Sequence, residues 1–129
     1  MNRDRPLVLV VDDHQDTCEL YQFALPHEGF AVVVAATVEQ AKQCVIDRRP
    51  DVIVTDLWMP GATGLDFTRW LHGTTGSAAP VIALTGWAGE EQAERAREAG
   101  CAAVCVKPCL PTTLAATIRA VLGAHGVRA

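Results

Sequence analysis

Asp12 and Asp13 stand side by side directly after the apolar run LVLVV of residues 7–11. Asp56, Thr85 and Lys107 each follow a comparable run further along the chain. Three carboxylates, one hydroxyl and one ammonium therefore lie where apolar segments end. Carboxylates brought together repel and raise one another's pKa unless a cation sits among them. A strongly negative set of oxygens suits a hard divalent ion; Mg²⁺, which keeps several waters and takes one or two carboxylates, fits first, with Mn²⁺ as the alternative. With the cation bound, a carboxylate can attack an incoming phosphoryl group. Charge then spreads over equatorial oxygens, where the ion and Lys107 would supply positive centres and Thr85 a hydrogen bond. Each residue alone has a plainer explanation: Asp13 as a helix cap, Asp56 in a turn, Thr85 as a strand residue, Lys107 as a solvated charge. Their conjunction at the ends of four separate runs favours a site.

The elements that must position these residues are legible as alternating patterns. Apolar runs recur at 7–11, 30–36 (FAVVVAA), 51–57 (DVIVTDL), 80–86 (PVIALTG) and 101–106 (CAAVCV). They are nearly continuous rather than alternating, which predicts strands covered on both faces, as in a parallel sheet. Helical spacing fills the intervals. The first helix, over 14–28, carries Cys18, Leu20 or Tyr21, and Leu25 on one face, and Pro26 predicts a kink or early stop completed by Gly29. The second, over 38–48, opens with the capping-box pattern Thr37 to Gln40 and is closed by Pro50. A third starts near Gly64 with Leu65, Phe67, Thr68 and Leu71. A fourth, over 89–99, is polar on most faces, and its charges read as a solvated surface with pairs four residues apart. A fifth runs from Pro111 to about Leu122, with Leu110 as a poor N-cap. Five such units predict a doubly wound α/β domain, in which ligands bind outside the carboxyl ends of the strands.

Composition narrows the function classes. The chain has 129 residues, 50% hydrophobic and 20% charged, which suits one globular domain. No apolar run approaches the roughly 20 residues of a membrane span, and residues 1–6 lead into too short an apolar stretch for a secretory signal, so a cytoplasmic location is expected. A net charge of −4, from 15 acidic and 11 basic residues, argues against direct nucleic-acid binding. The five cysteines, at 18, 44, 101, 105 and 109, are expected to be small buried hydrophobes rather than metal ligands or disulfides. The histidines at 14, 27, 72 and 125 read as isolated, with no carboxylate partner at phosphotransfer spacing.

Four segments, VVDD (10–13), DLWMPGATG (56–64), LTG (84–86) and VKP (106–108), resemble the receiver domain of two-component response regulators, over about Leu7 to Leu122. The resemblance implies a flavodoxin-like (βα)5 fold with a parallel sheet of order 2-1-3-4-5. The receiver would span 7–123, between tails 1–6 and 124–129. Asp56 would accept a phosphoryl group from a phosphohistidine on a sensor histidine kinase or a histidine phosphotransfer protein. Asp12 and Asp13 would bind Mg²⁺, with Asp13, Asp56 and the backbone carbonyl of Trp58 as direct ligands. Lys107 would contact the phosphoryl group, Thr85 would reorient toward it, and the Lys107–Pro108 bond would be cis. Pro60 and Gly61 would turn the loop after the acceptor, and Gly64 would open the third helix. Such a domain assists its own phosphoryl transfer and dephosphorylation and is not a turnover enzyme on free substrates.

The chain departs from the family pattern in three ways. The switch position that usually carries an aromatic is Val104, which leaves open how the threonine movement reaches the output face. Trp58 and Trp87 stand two residues after the acceptor and the switch threonine, where they either pack against loops or restrict water at the site. Cys109 follows the proline where a large apolar residue is common. After Leu122 only GAHGVRA remains, which suggests a single-domain receiver or a fragment. Either would act through protein contacts of the fourth helix, fifth strand and fifth helix, or through an output domain elsewhere. The competing readings are a pseudo-receiver that binds partners without phosphorylation and a small Mg²⁺-dependent α/β phosphohydrolase. The second usually needs another acid two residues after its nucleophile, where this chain has Trp58.

Overall fold

The computed structural model describes residues 5–57, 63–75, 77–86 and 90–124. Five parallel strands, β1 (Leu7–Val11), β2 (Ala31–Ala35), β3 (Val52–Asp56), β4 (Val81–Thr85) and β5 (Ala103–Val106), form one sheet of order β2-β1-β3-β4-β5. The helices are α1 (Gln15–Ala24), α2 (Val38–Arg48), α3 (Gly64–Gly73), α4 (Glu90–Ala99) and α5 (Pro111–Ala124).

Alternate residues of each central strand face opposite layers. Leu9, Val11, Ile53, Val81 and Ala83 pack with Ala41, Val45, Phe67, Leu71 and Ala96 of α2, α3 and α4. Val8, Val10, Val52, Val54, Ile82 and Leu84 pack with Tyr21, Leu114, Ile118 and Leu122 of α1 and α5. Every residue of β1 and β4 is buried, and so is every residue of β3. Burying a Val, Leu or Ile side chain contributes about 1.5–3 kcal/mol, so the strands that carry the acidic residues are the most firmly held. The edge strands differ: most of β2 and half of β5 are only partly covered. Their continuous apolar runs resemble those of the central strands, because strand-length hydrophobicity does not report which neighbours arrive.

Helix ends follow the sequence in most places. α1 stops at Ala24, and Pro26 sits in a single 3-10 turn, Leu25–Glu28, that ends at Gly29 with φ of 97°. The Thr37 side chain accepts from the Gln40 N–H at 3.1 Å, whereas the Gln40 side chain accepts from Ala36 N–H, one residue before the expected partner. α2 ends on Arg49, held at φ of 47° ahead of Pro50. α4 buries Ala96 and Ala99 and pairs Arg95 with Glu91 and Arg97 with Glu94 on its outer surface. α5 runs two residues beyond the expected Leu122; the Leu110 carbonyl accepts its first bond, from Leu114 N–H, while the Leu110 side chain stays exposed.

Candidate functional site

Register brings the expected residues to one edge. Val11 pairs with Ala35 and Thr55, and Asp56 pairs with Leu84, so Asp12 and Asp56 leave adjacent strands at the same height. Thr85 pairs with Val106, which sets Lys107 one residue beyond, its N–H donating to the Thr85 carbonyl at 2.7 Å. The Lys107–Pro108 peptide is cis.

Lys107 reaches across the sheet edge. Its Nζ donates to Asp12 Oδ2 at 2.7 Å and to Asp56 Oδ2 at 3.2 Å. Burial pushes its pKa down, but the Asp12 and Asp56 carboxylates more than offset this and the net direction is up. Asp12 is fully buried and Asp56 is 6% exposed, so both carboxylates sit at the floor of the site, while Asp13 lies at its rim. A buried carboxylate needs charged or hydrogen-bonding partners, and Lys107 meets that need for two of them. Thr85 is buried beside this floor at the end of β4. Val104 is half-buried and packs on the α3–α4 side of the sheet.

Gly64 shapes the same edge from α3. Its N–H donates to the Leu57 carbonyl at 3.0 Å, and a Cβ here would collide with the Asp56 carbonyl oxygen. Thr63 caps α3 by accepting from Asp66 N–H. Trp58, Pro60, Gly61 and Trp87 lie outside the described residues.

His14 corrects the sequence reading. It is not isolated: its Nδ1 lies 2.9 Å from Asp12 Oδ1 and 3.3 Å from Asp13 Oδ1. The hydrogen bond to Asp12 raises its pKa, and the charges of Asp12 and Asp13 add to that. Only adjacency to the acidic pair hinted at this in the sequence, and adjacency does not specify a side-chain direction. Of the other described histidines, His27 meets the Phe23 carbonyl and His72 the Ala79 carbonyl.

Among the described residues, Asp12, Asp13, His14 and Asp56 form the one group of acidic, histidine or cysteine side chains able to hold a metal ion, their ligand atoms all within 4.8 Å of one another. The cysteines are free thiols, buried except for the half-buried Cys44. Cys18 donates to the Asp12 carbonyl at 3.2 Å, and Tyr21 donates to the Cys109 carbonyl at 2.7 Å, tying α1 to the turn that follows Lys107.

The family model for the response regulator receiver domain matches residues 8–119. The chain belongs to this family. This receiver is 34% identical over 120 residues to the DNA-binding response regulator MtrA of Mycolicibacterium smegmatis, covering 93% of this chain and 52% of that protein. It thus spans about half the length of the curated relatives of that kind. The polar-differentiation response regulator DivK of Brucella anthropi is 30% identical over 117 residues, covering 90% of this chain and 95% of that protein. The structure resembles the chemotaxis response regulator CheY4 of Vibrio cholerae, with a TM-score of 0.85 at 29% identity, over 92% of this chain and 99% of that one. No helix among the described residues is long and apolar enough to cross a membrane.

Proposed function

We propose that this receiver accepts a phosphoryl group on Asp56 in a Mg²⁺-dependent reaction and thereby switches a protein-interaction surface. The observation that carries the reading is the Lys107 ammonium bridging Asp12 and Asp56 at the floor of a site where three carboxylates converge. The donor is a phosphohistidine on a sensor histidine kinase or phosphotransfer protein. An Asp56 carboxylate oxygen attacks phosphorus, the P–N bond breaks, and the imidazole departs with the bonding electrons. Water later reverses the modification by attacking the acyl phosphate.

Asp12, Asp13 and Asp56 fit a hard divalent cation, because their oxygens are close together, strongly negative and only partly balanced by Lys107. Asp13 and Asp56 would ligate it directly, with the Trp58 carbonyl as a third protein ligand; Mn²⁺ would serve in place of Mg²⁺. Such an ion shields the nucleophile and the phosphoryl oxygens from each other. Lys107 exchanges part of its contact with Asp56 for the new phosphoryl oxygens. Thr85, one strand away, supplies a hydroxyl to the same group. Its movement is transmitted without an aromatic ring at Val104, so α4, β5 and α5 must respond through aliphatic packing. The unit involved is residues 7–123, with 1–6 and 124–129 as tails, working in the cytoplasm with a downstream protein or an output domain. Trp87 and Trp58 flank the site in sequence and would limit water's approach to the acyl phosphate.

Incubation with acetyl phosphate and Mg²⁺ tests the reading. One phosphoryl group should appear by intact mass, and none should appear when chelator is present from the start or in Asp56→Asn. Binding to partners with no mass gain would favour the pseudo-receiver reading, and turnover of generic phosphate esters would favour the phosphohydrolase.

A further inference from the structure

His14 takes no part in the reaction just described, yet its ring is held in the acidic cluster. It occupies the N-cap position of α1 without making a side-chain capping bond. Its Nδ1 instead lies 2.9 Å from Asp12 Oδ1 and 3.3 Å from Asp13 Oδ1. Those spacings have a geometric meaning. Ligands about 2.1 Å from an octahedral ion are about 3 Å apart when adjacent and about 4.2 Å apart when opposite. The 3.3 Å contact with Asp13, a direct ligand of the proposed site, is close to an octahedral edge, and the four candidate ligand atoms all lie within 4.8 Å of one another. The ring is largely exposed, so it can turn its nitrogen lone pair to an ion at little cost in packing.

We infer that His14 is a nitrogen ligand of the cation site, and that it biases this receiver toward imidazole-preferring divalent ions such as Ni²⁺, Co²⁺ and Zn²⁺ relative to Mg²⁺. The inference rests on the proposed metal site. Imidazole suits these first-row ions far better than it suits Mg²⁺, which favours oxygen and retains its waters. Before an ion binds, Nδ1–H donates to the Asp12 carboxylate. Ligation requires the Nδ1 lone pair, so the ring proton then resides on Nε2 or leaves to solvent.

Calorimetric titrations with MgCl2 and NiCl2 at one fixed pH test this on the wild type, His14→Phe and Asp13→Asn. His14→Phe should lower Ni²⁺ affinity about tenfold or more while leaving Mg²⁺ affinity within about threefold, as expected for loss of a borderline nitrogen donor. The Co²⁺-loaded wild type should show hyperfine-shifted imidazole proton resonances that His14→Phe lacks. Asp13→Asn should weaken both ions, which ties nickel to this site rather than to His27, His72 or His125. An unchanged Ni²⁺/Mg²⁺ ratio in His14→Phe, with Mg²⁺ still bound, overturns the role of His14 alone. Nickel binding that survives Asp13→Asn overturns it as well. If the wild type binds neither ion, the proposed function and this inference fall together. His14 is largely exposed, and circular dichroism of each variant checks that the fold is kept.

Discussion

Lys107 is the residue on which the site's charge balance turns. Its ammonium meets a fully buried Asp12 and a nearly buried Asp56. Removing one partner of a buried pair typically costs about 3–5 kcal/mol. Lys107→Met should therefore lower the stability of the metal-free protein by about 3 kcal/mol, the lower end of that range because Asp12 keeps its His14 partner. Mg²⁺ should restore more of the melting temperature in this variant than in the wild type, measured by calorimetry with and without chelator. Tyr21 offers a second test at this scale. It is the chain's single tyrosine, and burial, followed by the nearby Cys109 and Cys105, pushes its pKa well above the ordinary value of about 10. The folded state then holds its proton more tightly than the unfolded state does. The stability this provides is fully present below about pH 10 and declines as pH rises toward the folded pKa. An ultraviolet titration should show the phenolate band appearing together with loss of the fold. Ionisation at pH 10 in a fully folded protein would contradict the burial of its hydroxyl against the Cys109 carbonyl.

At the scale of elements, the acidic edge depends on how α3 meets β3. Gly64 abuts the Asp56 carbonyl so closely that no side chain fits. Gly64→Ala should force α3 away from the acceptor strand and cost about 1–3 kcal/mol, the usual penalty for overpacking, read from a denaturant midpoint. Thr37 caps α2 by accepting from Gln40 N–H, so Thr37→Ala should cost about 1 kcal/mol, read from the same denaturant midpoint. These elements also mark how far the sequence carried. Apolar runs located all five strands, and the residue ending each run located Asp12, Asp56, Thr85 and Lys107 at one edge. Strand register does that work, since each strand of a parallel sheet delivers its last residue to the same side. His14 was beyond that logic. Its contact with Asp12 depends on the chain's turn between β1 and α1 and on one rotamer, neither of which has a periodic signature. The partial exposure of β2 and β5 was hidden for a related reason, because an edge strand and a central strand carry the same kind of apolar run.

At the scale of the whole molecule, the doubly wound sheet divides labour. Two apolar layers fix β1, β3 and β4; the carboxylates lie at the carboxyl ends of β1 and β3, Thr85 ends β4, and Lys107 follows β5. β5 is only partly covered, and there Val104 packs against the α3–α4 side of the sheet without an aromatic ring. Cation binding should couple this edge to global stability, because an ion bound only by the folded state adds about 2.7 kcal/mol at a hundred times its dissociation constant. A saturable rise in melting temperature with Mg²⁺, reversed by chelator and absent in Asp13→Asn, is the expected outcome. Mapping the modified residue tests the proposed role of Asp56 as phosphoacceptor. After treatment with acetyl phosphate and Mg²⁺, borohydride reduction of the acyl phosphate followed by peptide mass spectrometry should place the reduced residue at position 56 and nowhere else. Reduction at another aspartate, or a phosphoryl gain that persists in Asp56→Asn, would show that Asp56 is not the acceptor.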